Sequence, residues 1–219
     1  KGIAKKDILE NDTEGYPSIR YAELYTLYDY YTHSLRTKIN EESANKSNPI
    51  HTGDILFAGS GETLKDIGKS VAYLGEEKAY AGGDIIILKQ NSHDSQYLGY
   101  LFNNDLVRRQ LFKLGQGHSV VHIYSNGLKK VLIPLPPLPE QQKIAQILST
   151  WDKAIALQEH LIAEKQAFKK GLMQELLTGK KRFAGFEEKG EEVRLGDQCK
   201  ILMCKRIFAS QTNENEEIP

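Results

Sequence analysis

The apolar positions of this chain change rhythm near residue 138. Before that point, short apolar runs bounded by turn residues predict strands over Tyr16–Leu24, Gly53–Ala58, Ser70–Leu74, Asp84–Leu88 and Lys130–Leu135. Between them, Ser95–Leu114 carries Leu98, Leu101, Phe102, Leu106 and Leu111 among polar residues, a spacing that predicts one helix. Ser125 followed by Asn126–Lys130 predicts a capped short turn of helix before the last strand. The polar stretches Asn40–Pro49 and Asn91–Ser95 are expected to be loops.

After the proline-rich Pro134–Pro139 the period becomes helical, and no Gly or Pro interrupts the chain until Gly171. The pattern predicts one helix over Pro139–Thr178, about 60 Å long at a rise of about 1.5 Å per residue. That is several times the usual length, so the helix reads as a spacer and not as part of one globular core. Ile144, Leu148, Trp151, Ile155 and Ile162 fall three and four apart, broken by Gln158, and a second stripe runs Leu157, Leu161, Phe168, Leu172 and Leu176. Together they form an apolar seam suited to lengthwise packing on another helix. Leaving it in water would cost several kcal/mol at ~25 cal/mol per Å². No second helix of matching length is predicted, so the partner is expected to be another chain or a segment absent from this one.

The fold class this pattern predicts is α+β: a mixed α/β domain over 1–138, then a long coiled-coil-forming helix within 139–180. Residues 181–219 are expected to be a linker and the start of a second domain-like unit. Lys205-Arg-Ile-Phe and then Asn213–Pro219 echo Lys1-Gly-Ile-Ala and then Asn11–Pro17, and VRLGDQCKI (193–201) reads as a first-strand opening. A chain starting at Lys1 without Met and stopping at Pro219 is expected to be a piece of a longer or half-sized protein.

Composition narrows the classes. Lys+Arg 29 balances Asp+Glu 29, so no bulk charge announces a nucleic-acid partner and only local patches could supply one. Cys199 and Cys204 lie near the end without a second pair, which argues against zinc and for core thiols of an incoming strand in a cytoplasmic protein. No apolar run approaches the ~18 residues of a membrane span. No nucleophile elbow, GxGxxG or paired acid/base constellation emerges, so the chain is expected to be non-catalytic, with no cofactor and no metal.

Against this background IPLPPLPEQQKIAQIL (133–148), the helix after it and LLTGKKRFAGF (176–186) resemble the conserved region of type I restriction–modification specificity subunits. YPSIRYAELYT (16–26), GDILFAGSGET (53–63), GGDIIIL (82–88) and GQGHSVVHIYSNGLKKVLIPLP (115–136) resemble that family's target recognition domain. The resemblance implies two recognition domains held apart by two antiparallel helices, each domain reading one half of a split double-stranded DNA site. It also implies partners: methyltransferase (modification) subunits and, in the restriction complex, a translocating endonuclease subunit. With one domain and one helix complete here, the helix is expected to pair with a second copy or with another specificity-subunit segment. The seam residues Ile144, Leu148, Trp151, Ile155, Leu161, Ile162, Phe168 and Leu172 would make that contact.

On this reading the candidate DNA contacts fall in three places. Gly59–Thr63 is a glycine-rich turn whose Ser60 and Thr63, followed by Lys65 and Lys69, could meet the backbone; the alternative is a plain turn, since nucleotide-loop spacing is lacking. Arg20 with Tyr21, Tyr25 and Tyr28 puts a guanidinium among phenols just past a strand; Arg reads guanine bidentately, while about half of such tyrosines would be core. Gly115–Ser125 carries His118, Ser119 and His122 after Lys113, either a DNA-contacting loop or an ordinary surface one. The basic cluster Lys169, Lys170, Lys180, Lys181 and Arg182 suits a solvated helix end or a methyltransferase docking surface. A different class stays open, a coiled-coil adaptor whose globular domain binds protein and not DNA.

Overall fold

The computed structural model describes residues 3, 7–9, 14–61, 63, 66–117, 120–188 and 190–204. The chain divides into two compact units, Lys1–Ala156 and Leu157–Pro219. The elements in chain order are β1 (Tyr16–Ile19), α1 (Tyr21–Thr26), β2 (Tyr31–Thr32), β3 (Thr37–Ile39), α2 (Glu41–Lys46), β4 (Asn48–Ile50), β5 (Ile55–Ala58), β6 (Ser60–Gly61), β7 (Ser70–Tyr73), β8 (Ala79–Ala81) and β9 (Ile85–Leu88). There follow α3 (Ser95–Asn103), α4 (Asp105–Leu114), β10 (Val121–His122), α5 (Ser125–Leu128), α6 (Leu138–Leu177) and α7 (Leu195–Gln198). The α+β class is as the apolar pattern predicts.

The first unit is layered. One sheet has the order β3-β1-β8-β4 and a second the order β2-β7-β5-β9; β6 and β10 form a separate two-stranded ribbon. Successive side chains on a strand point to opposite faces, and β5 shows what that demands. Ile55 and Phe57 pack with Leu98, Leu101, Phe102 and Leu111 of the helical layer. Leu56 and Ala58 pack with Ile19, Leu24, Ile50 and Ala79 on the other side. A strand covered on both faces needs no polar alternation, which is why β5 reads Ile-Leu-Phe-Ala. Helix α3 lies against the sheet at Gly99, where a Cβ would come within 2.3 Å of the Tyr30 carbonyl oxygen.

Within the first unit four secondary-structure expectations are corrected. The strand expected over Tyr16–Leu24 ends at Ile19, because the Arg20 backbone N–H donates to Glu23 Oε2 at 2.8 Å and starts α1. The expected loop Asn40–Pro49 is α2 and β4: Asn40 Oδ1 accepts from the Ser43 N–H, and Pro49 is tolerated in a strand at the sheet edge. The single helix over Ser95–Leu114 breaks at Asn104, whose extended backbone (ψ 148°) ends α3 while its side chain caps α4 through the Leu106 N–H. Lys130–Leu135 forms no strand among the described residues; the Gln110 side chain instead bonds both the N–H and the carbonyl of Leu132, at 2.9 and 2.8 Å.

The long helix runs Leu138–Leu177, one residue earlier at each end than the predicted span. In the first unit its inner face is Gln141, Ala145 and Ser149, four apart and buried, with Ala145 in the core and Ile144 packed beside it. In the second unit the helix ends where Gly179 takes φ +71° and the Lys181 N–H returns to the Glu175 carbonyl at 3.0 Å. The first strand expected over 193–201 is instead interrupted by α7 (Leu195–Gln198), and Cys199 and Cys204 are exposed free thiols and not core residues, because no strand forms around them among the described residues. The repeat matched at 205–219 lies outside those residues. Among them no helix is long and apolar enough to cross a membrane.

Candidate nucleic-acid interface

Two segments far apart in sequence become neighbours through a ladder of two residues. β6 pairs antiparallel with β10, Gly61 opposite Val121 and Ser60 opposite His122. The ribbon is extended by Ile123 N–H to the Gly59 carbonyl at 2.9 Å, and the His122 and Gln116 backbones exchange bonds of 2.7 and 2.9 Å. The loop after β5 and the loop after α4, both read from sequence as candidate contacts, therefore lie side by side. Next to them opens a cleft of about 470 Å³ lined by Asn48, Asp84, His122, Tyr124 and Ser125.

Three of the candidate residues are joined in a chain. Tyr25 Oη donates to the Ser60 carbonyl at 2.7 Å, and Ser60 Oγ lies 2.8 Å from His122 Nδ1. Ser60 is buried, and the His122 ring is stacked with Tyr124 at 6.4 Å between centroids. Burial pushes the Tyr25 phenol well above its ordinary range, so it is a neutral donor at physiological pH. Gly61 permits this approach, since a Cβ there would sit 3.1 Å from Tyr25 Oη.

The remaining candidates are placed separately. Arg20 spends its Nη2 on Glu23 Oε1 at 3.2 Å, and the buried Glu23 carboxylate also accepts from Thr37 Oγ1. Tyr21 is exposed on the first turn of α1. Thr63 is exposed and donates to Asp66 Oδ2 at 2.6 Å, a local turn bond. Lys69 Nζ donates to the Tyr28 carbonyl at 2.7 Å, and burial lowers its pKa from the ordinary lysine value. Lys113 is exposed in the last turn of α4. Lys65, His118 and Ser119 lie outside the described residues. On α6, Leu148, Trp151 and Ile155 are exposed in the first unit and Leu161, Ile162 and Phe168 in the second, with Trp151 at 66 % and Phe168 at 65 %. Leu172 is half-buried, and Ile144 turns toward the core.

Arg108 is the residue that sequence reasoning passed over. It is buried, donates through Nη1 to the Ile67 carbonyl at 2.8 Å, and its guanidinium stacks over Phe112 at 5.0 Å. A signal existed: Arg108 follows Val107 and stands four before Phe112, which places a cation on the apolar side of α4.

Fold and site together define a class: an α+β module that presents two adjacent loops and continues into a long helix with an apolar outer edge. The family model described as the type I restriction modification DNA specificity domain matches residues 1–165, and the chain belongs to that family. Among proteins of Methanocaldococcus jannaschii, the chain is 33 % identical over 184 residues to one named as the type I restriction enzyme MjaX specificity subunit, covering 76 % of this chain and 43 % of that protein. It is 28 % identical over 178 residues to the type I restriction enzyme MjaVIII specificity subunit, covering 81 % and 39 %. The chain thus spans about two fifths of the length of these curated relatives. The crystal structure of the HsdS subunit from Thermoanaerobacter tengcongensis superimposes with a TM-score of 0.55 over 81 % of this chain and 46 % of that one, at 18 % identity, a likeness of fold.

Proposed function

We propose that this chain is the DNA-specificity component, or half of one, of a type I restriction–modification enzyme, and that it is not itself a catalyst. The domain over residues 1–138 reads one half of a bipartite duplex site. The helical region 139–180 supplies the spacing to the other half by pairing with a second copy or with another specificity-subunit segment. A helix of about 60 Å suits that role, because successive half-sites on one face of a duplex are about 34 Å or a multiple apart. Residues 181–219 are the link into a second recognition-like unit. The assembled subunit would position modification subunits on DNA, and in the restriction complex the translocating endonuclease subunit, in the cytoplasm.

The observation that carries this reading is the β6–β10 ribbon, which sets the two candidate loops against each other. Two loops from different parts of the chain can contact a duplex together, where either alone offers few groups. Formal neutrality favours the rival, an adaptor whose domain binds protein. Titration of a fluorescent random duplex with the chain at several salt concentrations separates them. Recognition of DNA predicts measurable binding with log K falling steeply in log[salt], by about 0.9 per phosphate contacted. An adaptor shows no binding at low salt.

A further inference from the structure

The loop between β5 and β7 is held from beneath at two points, near its beginning and near its end. Tyr25 of α1 donates to the Ser60 carbonyl, and Arg108 of α4 donates to the Ile67 carbonyl. Both donors come from helices, so the loop's backbone is tied to two rigid elements. The loop closes on itself where the Gly68 N–H bonds the Ala58 carbonyl at 3.0 Å, and it joins the second loop through Ser60 and His122. Arg108 is buried, with its guanidinium carbon over the Phe112 ring at 5.0 Å from the centroid. A guanidinium whose Nη1 is committed to a backbone carbonyl acts first on the loop that carries that carbonyl.

From this arrangement the geometry points to Tyr25 and Arg108 as positioning residues for sequence discrimination: they fix the two ends of the first loop, at Ser60 and Ile67, against Gln116 and His122 of the second without touching DNA themselves. The inference rests on the recognition reading and reassigns Tyr25 within it, from contact to support. It also assigns a role to Arg108, which the sequence reading passed over. A loop freed at either post could still meet the phosphate backbone, which is the same at every step of a duplex. It would lose the fixed placement that base-edge hydrogen bonds need, since phosphate contacts position and base contacts specify.

The test uses the full chain, wild type and the variants Tyr25→Phe, Arg108→Met and Arg108→Lys. Duplexes of randomised sequence are first selected on the wild-type chain. Affinity for the selected pool and for a scrambled pool is then measured across a salt series, with amide hydrogen exchange followed in the free proteins. Tyr25→Phe and Arg108→Met are expected to cut the selected-to-scrambled ratio by about tenfold, the equivalent of roughly one hydrogen bond to a positioned group. They should leave the salt slope on scrambled duplex unchanged and speed exchange within 59–68 and 115–122 only. Arg108→Lys, which keeps a donor near the Ile67 carbonyl, should restore part of the ratio. A slope shallower by about one phosphate in Arg108→Met would make it a direct contact and overturn the proposal. So would an unchanged ratio in both variants. Absence of any DNA binding by the wild-type chain would reject the recognition reading itself, and exchange confined to the two loops would still report whether the posts hold them.

Discussion

Gln141, on the first turn of the long helix, bonds Asp94 at the start of α3: its Oε1 accepts the Asp94 backbone N–H at 3.0 Å. The other end of the same amide donates from Nε2 to the Pro136 carbonyl at 2.7 Å, and the side chain is 1 % exposed. Asp94 meanwhile caps α3 by accepting from the Tyr97 N–H at 2.7 Å. One buried amide therefore ties the start of α6 to a helix cap and to the proline run before it. Tyr97 Oη to the Pro134 carbonyl at 3.1 Å and Tyr100 Oη to the Asp152 carboxylate add two further ties.

Replacing Gln141 with Leu keeps the volume but strands a backbone donor and a backbone acceptor. Each unpaired buried group costs about 1–3 kcal/mol. For a unit of this size roughly 2–4 °C of melting temperature is lost per kcal/mol. Thermal unfolding should show a drop of at least several degrees for Gln141→Leu, and no smaller one for Gln141→Glu, which still accepts from Asp94 but buries a carboxylate against the Pro136 carbonyl. A melt indistinguishable from wild type in Gln141→Leu would show that the amide ties nothing.

The exposed seam of α6 gives a second prediction. Changing Trp151, Ile155, Leu161 and Phe168 together to Ser should abolish self-association, or pairing with another specificity-subunit segment, and split-site binding with it. These side chains are in solvent within the chain, so the domain's own melting transition should move little, as surface substitutions usually stay within about 0.5 kcal/mol. Sedimentation velocity checks it; an unchanged mass in the quadruple variant would rule out the seam as the contact.

Arg20 carries a third. Its bond to Glu23 supports a buried carboxylate that also accepts from Thr37 and from the Arg20 backbone. Arg20→Ala should lower stability by about 1–2 kcal/mol, at the modest end because a third of the Arg20 side chain is in water. Lys113→Ala, on an exposed helix end, should leave stability unchanged and affect only DNA affinity. Urea unfolding of the two variants beside salt-dependent duplex titrations tests this. Equal stability in both would assign Arg20 to solvent or DNA alone.

How far the sequence could be read follows from where each element gets its stability. Helix α6 was legible end to end because its period, its entry at Pro139 and its exit at Gly179 are all local features. The break at Asn104 was not, since Asn at a mid-pattern position is tolerated in a helix and only its cap on Leu106 shows that it ends one. β2, β3, β6, β8 and β10 are two or three residues long, too short for a period to announce them, and they are held by pairing with strands distant in sequence. That the two candidate loops are turns was legible, because Gly, Ser and His clusters mark them; that they lie side by side was not. What could not be read was direction: Tyr25 and Lys69 look like surface donors in sequence, and both turn inward to backbone carbonyls.

Inward-facing phenols should make the fold less stable at alkaline pH. Burial raises the pKa values of Tyr25, Tyr28, Tyr73, Tyr97 and Tyr100, and for Tyr100 the hydrogen bond to Asp152 adds to it. An acid whose folded pKa lies above its unfolded value of 10.0 contributes stability that is intact below pH 10 and is lost as pH rises toward the folded value. Lys69 acts in the opposite sense: burial lowers its pKa below 10.5, so the unfolded chain holds the extra proton and its contribution grows with pH up to that value. Arg108, its pKa also lowered by burial, acts in the same sense as Lys69; five phenols against these two cations give a net loss, and stability should decline from about pH 10 upward. The double variant Tyr25→Phe, Tyr100→Phe removes two of the groups that must ionise on unfolding. Its denaturant midpoint, followed from about pH 9 to 11, should fall less steeply than that of the wild type whatever the difference at neutral pH. Parallel curves would show that these two hydroxyls reach solvent and titrate as freely in the folded chain as in the unfolded one.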